Sequence, residues 1–265
     1  MKKVAENINT LGRFCGKRDI AELSAAHLEQ TYGIPQADVM VLFGGSILAG
    51  GEVLAEAMKN QVAKTFILVG GKGHTTETLQ KKMREAFPHM ETDGLSEAEI
   101  FAKYLQENHG ERPDFLECKS TNCGNNITYL LDMIKEKEIP CRSIILSQDA
   151  TMQYRMEAGL RKYVKEDMQI INYATYAAKV VVKNQQLVYE QDIWGMWEME
   201  RYISLLLGEI PRLSDDRNGY GPAGKGFIAH VDIPEKVRKA FEELCVWYPG
   251  LVREANPQYA SKSAD

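Results

Sequence analysis

The chain has 265 residues, 44% of them hydrophobic and 26% charged, and a formal net charge of −5. These values are ordinary for a globular protein with one large α/β domain or a domain plus a cap. The negative charge and the absence of a basic stripe argue against a nucleic-acid partner. No apolar window approaches the roughly 18 residues of a membrane helix, so we expect no membrane span and a cytoplasmic protein.

Residues 1–35 precede the first apolar run and predict helices. Val4, Ile8 and Leu11 recur at helical spacing, and the Gly-Ile-Pro sequence at 33–35 ends the pattern. The five cysteines of the chain are scattered, and none of their spacings matches a zinc site. We therefore expect reduced thiols and no metal.

Apolar runs that end in small or polar residues predict the strands of a parallel sheet. The run at 39–43 ends in Gly-Gly-Ser, and the run at 65–69 ends in Gly-Gly. Strands are predicted at about 38–43, 65–69, 114–118, 144–146 and 169–173. Helical patterns lie between them at 52–62, 79–87, from 96, through 130–134, and at 150–164. Ser96 and Glu99 have the spacing of a capping box, which predicts a helix start at Ser96.

The pattern changes beyond residue 180. Two strand-like patches flank residues 183–186 and predict a hairpin, and an apolar helix is predicted from Trp194 to Leu207, ended by Gly208. A long polar loop follows at 211–226, and a loop of this length is more often functional than idle. A last helix is predicted after Pro234, before a frayed tail at 261–265. Trp194 and Trp197 predict either core or a dimer face, so a homodimer stays open.

The carboxyl ends of the predicted strands carry the polar residues from which a site is built. In open parallel sheets, ligands bind at this edge, where helix amino termini also favour anions. Glycines 44, 45, 70 and 71 would let backbone approach a ligand, or they merely make turns. The spacings of the dinucleotide fingerprint, the P-loop and the serine-hydrolase elbow are all absent.

Single residues near these strand ends each have a functional and a plain structural interpretation. His74 is a candidate general acid or ligand contact, or a helix-start residue that faces water. Glu97 reaches a ligand, or only complements the helix dipole. Cys123 is a reactive thiol at a helix start, or a small packed residue. Asp215 and Asp216 resemble cation ligands, or belong to a solvated loop.

With these segments in place, the chain resembles the YdcF/SanA/ElyC family, and is most similar to its soluble YdcF branch. The resemblance covers about residues 37–237. It is carried by the glycine pairs, His74, Glu97-Ala98, Ser120-Thr-Asn-Cys-Gly124 with Asn126, Gln148-Asp149, Thr151-Met-Gln153, Arg155 and a carboxyl-terminal block. The parts of that block are Glu200-Arg-Tyr202, Ser204-Leu-Leu206, Gly208-Glu209, Pro211-Arg-Leu213, Asp215-Asp216, Gly219-Tyr-Gly-Pro222, Phe227-Ile228 and His230-Val-Asp232.

The resemblance implies a Rossmann-like three-layer α/β/α sandwich with a mostly parallel sheet and a smaller helical cap. Residues 36–190 would form the core, with 1–35 and 191–265 as a helical cap or lid packed on it. It also implies a nucleotide-type ligand, with S-adenosylmethionine as the candidate cofactor. Other members are membrane-anchored and linked to cell-envelope assembly, and we expect this chain to lack their anchor. Asn125 and Thr151 stand where many members have a glutamate and a histidine.

The leading hypothesis is a protein that binds a nucleotide-like small molecule and, if it is an enzyme, transfers a group by positioning its substrates. The catalytic candidates are His74 and Glu97. The expected ligand contacts are Gly44, Gly45, Ser46, Gly70, Gly71, His74, Glu97, Asn122, Asn126, Gln148, Asp149, Met152, Arg155 and Tyr220. The loop at 212–226 would act as a lid. The alternatives are a non-catalytic sensor or adaptor in envelope metabolism and, more weakly, a metal-dependent phosphohydrolase that uses Asp215 and Asp216.

Overall fold

The computed structural model describes residues 1–253. Its helices are α1 (Lys2–Cys15), α2 (Ala25–Tyr32), α3 (Ala49–Lys59), α4 (Thr76–Ala86), α5 (Glu97–His109), α6 (Cys123–Glu136), α7 (Gln153–Arg161), α8 (Met199–Leu213) and α9 (Glu235–Trp247). Its strands are β1 (Ala37–Phe43), β2 (Ala63–Val69), β3 (Phe115–Glu117), β4 (Ser143–Ser147), β5 (Gln169–Asn172), β6 (Val180–Lys183) and β7 (Gln186–Tyr189). The predicted tail at 261–265 lies outside the described residues.

Five strands form one parallel sheet in the order β3-β2-β1-β4-β5. The chain adds strands outward from β1 in one direction and then returns to add β4 and β5 on its other side. The strand order therefore reverses between β1 and β4, and such a point is where ligands bind in folds of this kind. The predicted parallel sheet is confirmed.

Both faces of the sheet are covered, and β1 is accordingly apolar and buried from Val39 to Phe43. Side chains of β1 alternate between the faces, as the period of two requires. Val39, Val41 and Phe43 pack with residues of α6 and α7, whereas Met40 and Leu42 pack with residues of α2, α3 and α5. The result is the predicted Rossmann-like three-layer α/β/α sandwich.

A third apolar cluster joins α1 to α8 and α9. Ile8 and Leu11 of α1 pack there with Tyr202 and Leu206 of α8 and with Leu244 of α9. The predicted hairpin is also present, because β6 and β7 pair antiparallel and turn through two residues with positive φ. These elements surround the carboxyl edge of the sheet, and α8 supplies one wall of the cavity described below.

The predicted bounds of α8 are wrong at both ends. The helix begins at Met199 and continues through Gly208 and Pro211 to Leu213. Gly208 does not end the helix; it makes room beside it. A Cβ at Gly208 would lie 2.8 Å from Nη1 of Arg212 and 2.9 Å from Cβ of Arg253. Because that Cβ is absent, the Arg212 guanidinium folds back against its own helix and meets the carboxyl-terminal segment.

The helix caps follow the sequence signals more closely. Ser96 accepts a hydrogen bond from the backbone N–H of Glu99, and the Glu99 carboxylate accepts one from the backbone of Ser96 at 2.8 Å. This is the predicted capping box. Asn122 caps α6 by accepting a hydrogen bond from the Asn125 N–H at 3.0 Å. Both helices therefore begin with a side-chain cap.

Candidate functional site

Two polar regions lie at the carboxyl edge. The first, which we call the strand-end edge, consists of Gly44, Gly70, Glu97, Gln148 and Asp149 with their neighbours. Gly44 and Gly70 follow β1 and β2, and their Cα atoms approach so closely that a Cβ on Gly44 would lie 3.3 Å from the Cα of Gly70. The same Cβ would lie 2.6 Å from the Glu97 carboxylate. The missing side chains thus admit Glu97 between the two strand ends.

Glu97 is the first residue of α5 and is 6% exposed. Its Oε1 accepts hydrogen bonds from the Thr75 hydroxyl at 2.6 Å and the Thr76 hydroxyl at 3.1 Å. Burial raises the pKa of this carboxyl, and the two threonine hydroxyls partly offset the rise. The backbone N–H groups of Glu97 and Ala98 donate to the carbonyls of Gly71 and Gly70. The amino terminus of α5 is therefore used by the protein itself.

Gln148 and Asp149 follow β4 and are also bound by their surroundings. The Asp149 carboxylate accepts from the Thr151 hydroxyl at 2.8 Å, Tyr176 at 2.7 Å and the Trp197 indole at 2.8 Å. The Gln148 side chain donates to the Gly44 carbonyl and accepts from the Asp149 N–H. These residues were predicted to fix a ligand, and here they fix the loops that follow the strands.

Gly71, Gly45 and Ser46, the remaining predicted residues of this edge, differ in how closely other atoms approach them. A Cβ on Gly71 would lie 2.2 Å from the Ser120 carbonyl oxygen, so that glycine permits close backbone packing. The nearest atom to a Cβ on Gly45 is 3.5 Å away. The Ser46 hydroxyl is buried without a hydrogen-bond partner within the part of the chain that the structure describes.

The second region is a cavity of about 470 Å³ above the amino-terminal ends of α6 and α7. Its walls come from the loop after β2, the start of α6, α7, the end of α8, the loop at 214–228 and the last described residue. The predicted residues that line it are His74, Asn122, Met152, Arg155 and Tyr220, and Cys123 joins them. Asn126 lies in the first turn of α6, with its N–H donated to the Asn122 carbonyl. The cavity thus gathers about a third of the predicted ligand contacts.

Positive charge dominates the cavity walls. Arg155, Arg212, Lys225 and Arg253 line it, and no aspartate or glutamate is among the lining residues described. The carboxylate next to these groups is Glu209, which is 2% exposed and accepts two hydrogen bonds from Arg155, at 2.5 and 3.1 Å. This bidentate ion pair compensates Arg155 and leaves the other cations without a matching carboxylate at the cavity wall.

His74 stands at the rim beside Arg253, with 3.4 Å between its Nε2 and Nη2 of the arginine. Burial lowers the pKa of His74, and the charges of Arg253, Arg201 and Arg155 lower it further. The neutral imidazole is therefore favoured near neutral pH. A neutral imidazole is a weaker proton donor than the predicted general acid but a good hydrogen-bonding group.

Aromatic and apolar side chains also line the cavity. Tyr220 and Phe227 pack edge to face with ring centroids 5.2 Å apart, and the Lys225 ammonium lies 5.2 Å from the centroid of the Tyr220 ring. Ile127 and Met156 complete this wall from α6 and α7. The cavity therefore offers both aromatic surface and cationic groups to a ligand.

The predicted lid at 212–226 contains Arg212 and Lys225, but neither was predicted as a ligand contact, and Phe227 and Arg253 were not predicted as site residues. Their elements are far apart in the sequence, so no local motif joins them. One signal was present: Gly208 precedes Arg212 by four residues, one helical turn, and that spacing leaves room for the guanidinium.

The loop at 214–228 has little regular structure but is tightly hydrogen-bonded. Asp215 accepts from the Ala223 N–H at 2.6 Å and pairs with His230 at 2.5 Å, while Asp216 accepts from the Gly219 N–H at 3.0 Å. Both aspartates thus shape the loop. No group of three or more metal-binding side chains occurs among residues 1–253.

Trp194 and Trp197, which lie between β7 and α8, have different neighbours. The Trp194 ring packs against Phe87 and Tyr104, with centroids 5.8 and 5.5 Å apart. Trp197 donates to Asp149 and carries the Lys82 ammonium 5.0 Å from its ring centroid. Both rings therefore serve internal packing, and the homodimer stays a prediction.

A scan against protein-family models finds no match to this chain. The likeness to the YdcF/SanA/ElyC family thus stays an interpretation of the sequence. In the described part of the chain, no helix is both long enough and apolar enough to cross a membrane.

Proposed function

We propose that this protein binds a nucleotide-type small molecule in the cavity above α6 and α7. The observation that carries the proposal is the pairing of two walls in one cavity of about 470 Å³. Tyr220 and Phe227 offer flat apolar surface to a base, and the arginines offer donors to anionic groups. Ligand cavities of 300–1,000 Å³ with an apolar lining and a few convergent polar groups are typical of cofactor sites.

S-adenosylmethionine is the candidate ligand that the family resemblance implies. Its adenine suits the aromatic wall, and its carboxylate suits a guanidinium. Its sulfonium, by contrast, would enter a cavity whose charged lining residues are cations. ATP and NAD carry phosphates instead, so the charge of the cavity favours them over S-adenosylmethionine. If the protein is an enzyme, group transfer by positioning of the two substrates is the reaction class that we propose.

A non-catalytic sensor or adaptor is the second candidate, and one observation favours it. The carboxylates at the strand-end edge, Glu97 and Asp149, are engaged by neighbouring donors, and the described lining of the cavity contains no carboxylate. A protein of this kind would bind its ligand without turnover. The family resemblance suggests a cytoplasmic role in cell-envelope metabolism. The phosphohydrolase alternative gains no support from Asp215 and Asp216, which hold the loop.

Calorimetry with S-adenosylmethionine, ATP and NAD tests the proposal. We expect heat from at least one of them, and a loss of affinity of about tenfold in Tyr220→Leu, because stacking of one base contributes about 1–3 kcal/mol. Tyr129→Leu is the matched control, since Tyr129 is exposed on α6 and does not line the cavity. Absence of heat with all three ligands would overturn the proposal. Turnover of a bound ligand would exclude the sensor alternative.

A further inference from the structure

We propose that the ligand of this cavity is a phosphorylated compound whose phosphate is bound by Arg212, Arg253 and the first N–H groups of α6. The inference rests on the proposed function for the location of the site, and it adds the chemical class of the ligand.

Arg212 lines the cavity with part of its guanidinium not hydrogen-bonded. Its side chain is 9% exposed, and both of its hydrogen bonds are made by Nη1, to the carbonyls of Gly208 and Arg253. Within residues 1–253, Nε and Nη2 donate to no protein group. A guanidinium has five N–H donors in a planar fork that matches the oxygens of a phosphate. In residues 1–253, Nε and Nη2 are not among the buried side-chain atoms without a partner, and Arg212 lines the cavity, so these donors are open to the space that a ligand would fill.

The charges around Arg212 also indicate a negatively charged ligand. Burial lowers the pKa of Arg253, and the charges of Arg201 and Arg212 lower it further, whereas Glu209 partly opposes them. The same cluster lowers the pKa of His74, after the effect of burial. Several cations are thus held together with Glu209 as the neighbouring carboxylate, and Glu209 is already bound to Arg155. An anion in the cavity would relieve this repulsion.

The start of α6 supplies donors that suit a phosphate. Asn122 caps the Asn125 N–H, which leaves the N–H groups of Cys123 and Gly124 without partners among the described residues. Both residues line the cavity. A helix amino terminus favours anions through its free N–H groups and its dipole. A tetrahedral phosphate has enough oxygens to accept from this terminus and from two guanidinium groups together, whereas a carboxylate has two.

The test measures binding of inorganic phosphate, pyrophosphate, ADP, adenosine and S-adenosylmethionine by calorimetry at low and high salt. We expect pyrophosphate to bind without a nucleoside, ADP to bind at least tenfold more tightly than adenosine, and the affinity of both anions to fall as salt rises. Arg212→Gln should weaken pyrophosphate at least 30-fold. Arg112→Gln is the matched control, because Arg112 is exposed just before β3, at the opposite edge of the sheet.

Arg212 also holds backbone carbonyls, so thermal unfolding of the Arg212→Gln variant is measured alongside. Arg253→Gln gives a second readout without that risk, since Arg212 uses only the backbone carbonyl of Arg253, while the Arg253 guanidinium lies beside His74. We expect it to weaken pyrophosphate about tenfold. Unchanged pyrophosphate affinity in Arg253→Gln, or in a folded Arg212→Gln variant, overturns the proposal.

The remaining outcomes separate this inference from the proposed function. Equal affinities for adenosine and ADP, or tighter binding of S-adenosylmethionine than of ADP, would overturn the phosphate assignment and leave a nucleotide-type site. Binding of pyrophosphate with no gain from adenosine would support the phosphate assignment and count against a nucleotide. No binding of any of the five probes would overturn both.

Discussion

The strand-end edge and the cavity lie side by side, and they differ in how their polar groups are satisfied. At the strand-end edge, Glu97 and Asp149 accept hydrogen bonds from threonine, tyrosine and tryptophan side chains. In the cavity, Arg212 keeps open donors in the described structure, and the neighbouring Glu209 is taken by Arg155. The carboxylates and glycines at the strand ends are thus tightly packed, whereas the cavity holds the unmatched positive charge on which the proposed ligand site rests.

The largest change in unfolding free energy that we expect comes from the Arg155–Glu209 ion pair, beside the cavity. Glu209→Gln removes the negative charge that faces Arg155, and leaves a buried guanidinium without compensation. Breaking a buried ion pair in this way costs about 3–5 kcal/mol of unfolding free energy. Urea unfolding of the variant measures this loss.

Glu190→Gln is the control, because it breaks an ion pair of opposite character. The Nζ of Lys179 lies 2.7 Å from Oε1 of Glu190, but the two side chains are 61% and 41% exposed. An exposed pair of this kind contributes about 0–1 kcal/mol. Equal losses in the two variants would show that burial of the Arg155–Glu209 pair carries no special weight.

A smaller loss is expected from the strand-end edge. Gly44→Ala places a Cβ at 2.6 Å from the Glu97 carboxylate and 2.7 Å from its Cβ, and overpacking of this kind costs about 1–3 kcal/mol. Gly45→Ala is the adjacent control, since its Cβ would meet nothing nearer than 3.5 Å. Urea unfolding should show a loss in the first variant and a change within about 0.5 kcal/mol in the second. If Gly44 serves a ligand instead, the alanine variant will lose binding and keep its stability.

The fold was predictable from the sequence because its signals are local. Apolar runs that end in small residues mark β1, β2 and β4, and Ser96 and Asn122 mark the starts of their helices. The error at α8 is informative. Gly208 was interpreted by its propensity to end a helix, but its role depends on Arg253, which lies 45 residues later in the chain. A contact of that separation leaves no local pattern.

The site was predictable only in part, for the same physical reason. His74, Asn122 and Arg155 follow strand ends and could be inferred from the topology of parallel sheets. Arg212 and Lys225 come from a helix and a loop that cross the edge of the sheet. The length of the polar loop indicated a lid, but nothing in the sequence indicates which of its side chains line the cavity. Glu97 and Asp149 carried the right chemistry for a site, but the hydrogen bonds that they accept from Thr75, Tyr176 and Trp197 come from residues distant in the sequence and leave no local pattern.

Glu97 and Glu99, both in the first turn of α5, have carboxyl pKa values shifted in opposite directions. Burial raises the pKa of Glu97, so the folded protein binds its proton more tightly than the unfolded chain. Stability should therefore fall as the pH rises from the unfolded pKa, about 4.3, through the raised folded value. Glu97→Gln should remove this slope, measured by urea unfolding between pH 3.5 and 8.

Glu99 provides the contrast, because hydrogen bonds from the Ser96 backbone and hydroxyl lower its pKa. Its contribution to stability is present above the unfolded pKa and is lost as the pH falls through the lower folded value. Glu99→Gln should therefore flatten the acid side of the profile. Slopes of the same sign for the two glutamates would contradict the opposite environments assigned to them.

The smallest change in unfolding free energy is expected from His230, which follows the loop at 214–228 and pairs with its Asp215. His230 bridges Asp215 and Asp232, at 2.5 and 3.1 Å, and these hydrogen bonds raise its pKa above 6.5. The stabilisation is complete below pH 6.5 and is lost as the pH rises through the higher folded pKa. His230→Gln should remove the dependence of unfolding free energy on pH above 6.5, while His89→Gln, which changes another exposed histidine, should keep it. Because the bridge is exposed, the effect should also shrink as salt increases, and a slope unaffected by His230→Gln would place the titrating group elsewhere.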